Sequence, residues 1–210
     1  MNDFVMNKDQ APLERRADEL RQDLLSSDPH QLAELTNTTI RAEKDVFQFD
    51  FLYWGKPVVM SNQDFFARDP ESTHPLPPIH QAMILYYFYS SKGSPRSGKW
   101  ISFSELADGQ FYNAAFQGYT SKKLLQHFQE DYKGFEKNNL DLCAEKVDFG
   151  DGAFRHQILP QVAILFVYWK GDDEFPPSYK ILFEDIVDYH LPTDALAILG
   201  SMLTGKLIAA

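Results

Sequence analysis

The run Val162 to Trp169, VAILFVYW, constrains this chain more than any other feature, because eight consecutive apolar side chains leave neither face of the segment for water. A β-strand sends alternate side chains to opposite faces, so a strand of this composition has to lie in the middle of a sheet covered on both sides. A second run, Ala82 to Tyr89 (AMILYYFY), is as apolar. Pro78 suits a first helical position, so the run reads as a buried helix, although Ile84 to Tyr89 alone would pass for a strand. Both runs fall far short of the roughly 20 residues that span a bilayer. They must be buried in a protein core instead, and a chain of 210 residues removes about 70% of its unfolded surface from water.

The remaining elements follow from period and punctuation. Leu13, Ala17, Leu20 and Leu24 recur at helical spacing, with Glu14, Arg15, Arg16, Asp18 and Arg21 assigned to the opposite, solvent face. Ser27-Asp28-Pro29 closes that helix and opens a short one carrying Leu32 and Leu35. Phe47, Phe49, Phe51 and Tyr53 alternate with Gln48 and Asp50 as a strand, and Pro57 to Met60 returns beside it as an edge strand. Ser90 to Lys99 (SSKGSPRSGK) reads as a mobile connector. Ser102-x-x-Glu105 has capping-box spacing and starts a brief helix ending at Asp108-Gly109. Phe111 to Glu145 reads as helix broken near Gly118 and Gly134, with Cys143 as a small core residue. Gly150-Asp151-Gly152 is a hairpin signal between Val147–Phe149 and Ala153–Leu159. Tyr179 to Glu184 is a more exposed partner strand, and Thr193 caps a final helix with Leu196, Leu199, Leu203 and Leu207 inward. The expected fold is α+β: a single domain over residues 1–210, with residues 1–10 a flexible tail. Its mostly antiparallel sheet comes from residues 46–60 and 147–187, with helices packed on it.

Charge and cysteine usage exclude whole classes of function. A net charge of −10 argues against phosphate-backbone binding, so no nucleic-acid partner is expected, and no membrane segment is present. The single cysteine, Cys143, permits neither an intrachain disulfide nor a cysteine-ligated iron–sulfur cluster. The first ten residues carry no apolar leader, and the protein is expected in the cytoplasm.

Gly150-Asp151, Leu159-Pro160, the apolar run to Trp169, Gly171-Asp172-Asp173-Glu174-Phe175-Pro176, Phe183 and Leu191, together with Trp100-Ile101-Ser102-Phe103-x-Glu105-Leu106 and Gly109, resemble a prokaryotic domain-of-unknown-function family (thirty-seven eighty-six). The resemblance covers roughly residues 10 to 207 and is specific from Trp100 onward. It implies one domain and a setting in anaerobes, where some members carry an added iron–sulfur domain. It implies no catalytic residue, and this chain lacks the cysteines for a cluster.

Four features bear on chemistry. Gly93 to Trp100 (GSPRSGKW) matches the phosphate-loop pattern except at its last position, where Trp100 offers no magnesium ligand, so it reads as a solvated loop. Asp172, Asp173 and Glu174 are candidate ligands for Ca²⁺ or Mg²⁺, with Asp151 a further candidate, or else a charged turn that keeps a sheet edge soluble. Clustered carboxylates of this kind can raise one another's pKa. His74 and His80 bracket a proline segment, but no histidine pair has zinc spacing. Tyr86, Tyr87, Phe88 and Tyr89, with Tyr112, Phe116 and Tyr119, form either a thick core or the lining of a cleft or partner surface. The leading expectation is a binding or accessory domain acting on a small molecule or a protein partner in anaerobic metabolism. The alternative is a divalent-metal-dependent enzyme using Asp172, Asp173, Glu174 and Asp151. The sequence assigns no other cofactor.

Overall fold

Phenylalanine alternation builds the first sheet of the computed structural model, which describes residues 11–210; the tail expected at residues 1–10 lies outside the described residues. After α1 (Ala11–Leu24) and α2 (Pro29–Thr36), strands β1 (Thr39–Glu43), β2 (Val46–Tyr53), β3 (Lys56–Ser61) and β4 (Ala67–Arg68) pair in chain order, all antiparallel. In β2, Phe49, Phe51 and Tyr53 are buried while Leu52 faces out. Phe49 stacks near Phe65 and meets the edge of Phe88 on α3 (Pro78–Ser90), so this sheet packs its apolar face on that helix. Pro57 costs no ladder bond, since β4 reaches only Val59 and Met60 of β3.

The second sheet has the order β5-β9-β8-β7-β6, with β5 (Trp100–Ser102), β6 (Glu145–Val147), β7 (Gly152–Leu159), β8 (Val162–Trp169) and β9 (Ser178–Glu184). The apolar run is β8, at the centre as its composition demands, with Ile164 and Phe166 fully buried. Residues 46–60 and 147–187 thus belong to two sheets, not one. Both sides of β2 are already paired by β1 and β3, which leaves it no ladder for a strand of the other sheet. A backbone bond from Trp54 N–H to Ile158 C=O joins the two sheets, and one hydrophobic core runs through both.

Between the sheets' strands in sequence lie α4 (Gly109–Tyr119), α5 (Ser121–Phe128) and α6 (Tyr132–Asp141), and the chain ends in α7 (Thr193–Ala209). Several local expectations are corrected here. The helix expected from Ser102 to Gly109 is a single 3-10 turn, Phe103–Glu105, in which the Glu105 carboxylate accepts the Ser102 N–H at 2.7 Å. Gly109 opens α4 instead, because a Cβ there would lie 1.9 Å from the Phe103 carbonyl oxygen. The helix breaks fall at Thr120 and at Gln129–Asp131, two residues after Gly118 and three before Gly134, so the glycines lie near the breaks but inside α4 and α6. Strand β9 is largely buried, with Lys180 its exposed member, because β8 and β5 flank it and α5 packs on it. Cys143 is exposed beyond the end of α6 at φ +59°, a left-handed turn rather than a core position. Leu196, Leu199, Leu203 and Leu207 of α7 all face the core, but Pro192 is the cap residue, and Thr193 donates its hydroxyl to the Ala107 carbonyl. Among the described residues no helix is long and apolar enough to cross a membrane.

Candidate functional site

Arg21 lies on α1, where periodicity assigns it to solvent, yet it is only 8% exposed. Helix α1 packs along α3, and Phe66, just ahead of β4, lies under the guanidinium with Cζ 4.0 Å from the ring centroid. A guanidinium is weakly hydrated and stacks on aromatic faces, so this burial is tolerated where an ammonium's would not be. Gln81 on α3, 3% exposed, closes the other side. Its amide accepts the Ala67 N–H at 3.0 Å and donates to the carbonyls of Ala67 at 2.6 Å and Leu76 at 3.2 Å. One side chain thereby fastens α3 to β4 and to the proline-rich loop.

These residues line a half-open cavity of about 270 Å³, with Glu14 and Asp18 at its exposed rim. Helix α1 contributes Glu14, Ala17, Asp18 and Arg21, and the facing wall is Phe66, Pro75, Leu76, Pro78 and Gln81. Arg21 Nη1 donates to Asp18 at 2.6 Å. Its Nη2 makes only a long contact, 3.4 Å, to Gln81 Oε1, and its buried Nε–H has no partner. The Nε–Nη2 edge presents two parallel donors that match a carboxylate. Arg41 shows the filled arrangement on the surface, with Nε and Nη2 each holding one oxygen of Asp50. The corresponding edge of Arg21 is almost unused, and a buried donor left without an acceptor costs about 1–3 kcal/mol.

The acidic segment that stands out in the sequence is built differently. Asp172 Oδ1 accepts the N–H groups of Glu174 at 2.9 Å and Phe175 at 2.8 Å, and the Asp172 N–H donates to the Phe175 carbonyl at 2.9 Å. This is an aspartate-nucleated turn. The backbone donors hold the Asp172 carboxyl below the usual carboxylate range, the opposite of mutual elevation. Asp151 accepts the Lys170 N–H at 2.7 Å, closing the end of β8. Asp173 and Glu174 are exposed. Among the described residues no three His, Cys, Asp or Glu side chains are gathered as a metal-ligand set.

The other candidates are dispersed. The Gly93–Lys99 loop leaves helix α3 and enters strand β5, the reverse of the strand–loop–helix order of a phosphate cradle. Arg96 is drawn onto Gln157, sharing its Oε1 with Arg155, and Ser97 onto Asp185, so the segment is tied to the second sheet. Near it Glu184 is buried with Oε2 unpartnered, and burial raises its pKa against the opposing pull of Arg96 and Arg155. His80 contacts the Tyr53 hydroxyl through Nδ1 at 2.9 Å, while His74 is exposed. His156 faces Asn139 Oδ1 through Nε2 at 2.7 Å, and burial lowers its pKa to about 4. Tyr87, Phe88 and Phe116 are core, whereas Tyr89 and Tyr112 are exposed.

Sequence reasoning missed Arg21 and Gln81. The available signal was Glu14, Ala17, Asp18 and Arg21 at i, i+3, i+4 and i+7, one stripe of α1 with a small residue in it. No curated protein and no solved structure matches the chain. The family model described as a domain of unknown function, DUF3786, matches residues 28–206, a stretch that holds the facing wall of the cavity but not α1. With most of its length matched, the chain belongs to that family.

Proposed function

We propose that this protein is a cytoplasmic, ligand-binding accessory domain whose partner is a small molecule seated in the cavity between α1, α3 and the proline-rich loop. The observation that carries the reading is the unused Nε–Nη2 edge of buried Arg21 on that cavity. A concave, partly apolar space with a few convergent polar groups is the ordinary form of a ligand site. At about 270 Å³ the cavity lies just under the roughly 300–1,000 Å³ of drug-sized sites, which suits a small metabolite. Among the described residues its lining offers no hydroxyl, thiol or imidazole group as a nucleophile, which favours binding over covalent catalysis. The net charge of −10 supports a partner other than nucleic acid. The family resemblance supports a setting in anaerobic metabolism.

The test is a titration followed through the Arg21 Nε–Hε resonance and the amides of Ala17, Ala67 and Leu76. Small ring-bearing probes are used: L-phenylalanine, 3-phenylpropionate and phenethylamine. A saturable shift of these signals with at least one probe is the expected result. Signals that stay fixed under millimolar concentrations of all three, and of L-leucine, 4-methylpentanoate and 3-methylbutylamine, would overturn the reading.

A further inference from the structure

We infer that the ligand is a small zwitterion, with one carboxylate and one ammonium on an apolar body, as in an amino acid; this rests on the cavity being the ligand site. The carboxylate end is set by Arg21. A planar, two-donor edge holding only a 3.4 Å contact takes a two-oxygen acceptor better than any single-point one. Pro78, on the facing wall, is the first residue of α3, whose cap position Pro77 brings no side-chain acceptor. The positive end of that helix therefore adds to the field at the carboxylate end.

The ammonium end is set by the rest of α1. Asp18 already holds Arg21 Nη1, and Glu14 lies one turn further toward the start of the helix on the same stripe. A simple anion would fill the arginine edge but meet two carboxylates. A simple cation would satisfy those carboxylates and leave the arginine edge empty. Only a ligand carrying both charges answers both the arginine edge and the carboxylates of this one helix face. Ala17, Phe66, Pro75 and Leu76 leave apolar surface for the ligand's side chain.

Calorimetry with matched probes separates the outcomes. L-Phenylalanine, 3-phenylpropionate and phenethylamine share one body and differ only in which charged end is present. L-Leucine, 4-methylpentanoate and 3-methylbutylamine repeat the series without a ring. In at least one series the zwitterion should bind ten times or more tighter than either partner. Glu14→Gln, at an exposed position that leaves the fold alone, should weaken the zwitterion and the amine several-fold but not the acid. Arg21→Met should weaken the zwitterion and the acid but not the amine. An acid that binds as tightly as its zwitterion, or a Glu14→Gln protein that binds the zwitterion unchanged, would overturn the inference while leaving the cavity as the site. No binding by any of the six would overturn the site itself, and the inference with it.

Discussion

The acidic turn at 171–175 and the cavity beside Arg21 both gather charged side chains, and they are built to opposite ends. The turn is conspicuous in sequence, exposed, and closed on itself: Asp172 serves the backbone N–H groups two and three residues on. The cavity is inconspicuous in sequence, half open, and incomplete: Arg21 keeps a buried donor without a partner. Here density of charge accompanies a self-satisfied turn, whereas the cavity combines an unsatisfied donor with concave space beside it. The contrast holds for the buried histidines as well, which are satisfied and therefore structural, His156 through Asn139 and His190 through Ser91 and the Ser94 carbonyl.

The sharpest way to break this contrast is at Gln81. Gln81→Leu keeps the volume but strands the Ala67 N–H and the Leu76 carbonyl, each otherwise held by its amide. One buried and one half-buried group left bare should cost about 3 kcal/mol by denaturant unfolding. A loss under about 1 kcal/mol would show that water reaches both groups from the cavity.

Next in size is the acid response of the interior. The native pKa of His156 is about 4, below its ordinary 6.5, because burial disfavours the charged ring. The unfolded chain therefore binds the proton first. Its contribution is complete above pH 6.5 and falls as pH drops toward 4, by about 3 kcal/mol in all. His80 and His190 are shifted in the same direction by burial. His156→Gln, which retains a donor for Asn139, should flatten the pH dependence of unfolding between 6.5 and 4 by that amount. An unchanged slope would place the sensitivity elsewhere.

A gain of about 0.5–1 kcal/mol is expected from Cys143→Gly, since φ +59° strains any residue with a Cβ. The exposed thiol of the parent should also react with a disulfide reagent without unfolding. A slow, unfolding-limited reaction would put this turn back in the core.

The smallest effect belongs to the acidic turn. Asp172→Asn with Glu174→Gln preserves an Oδ1 acceptor and removes like charge, so the melting temperature should move by about a degree or less. Millimolar Ca²⁺, Mg²⁺ or Mn²⁺ should leave the parent's melt equally still. A cation-dependent rise that vanishes in the double variant would make the turn a metal site and erase its contrast with the cavity.

What could be read from the sequence was whatever depends on period. The centrality of β8, the inward leucines of α7 and the alternation of β2 each follow from how side chains project from a repeating backbone. Cys143 was misplaced because α6 ends two residues before it, a boundary no local pattern marks. β1 and β4 are short and carry no clear alternation, so pairing, not pattern, defines them. The site is of the same kind. Arg21 belongs to the polar face of α1 by every local rule, and nothing near it in the chain foretells Phe66 and Gln81. Local sequence determined which residues could lie along one helix stripe. Which stripe was covered, and what it met, was decided by packing between segments some sixty residues apart, because burial is a property of the assembled core and not of the segment.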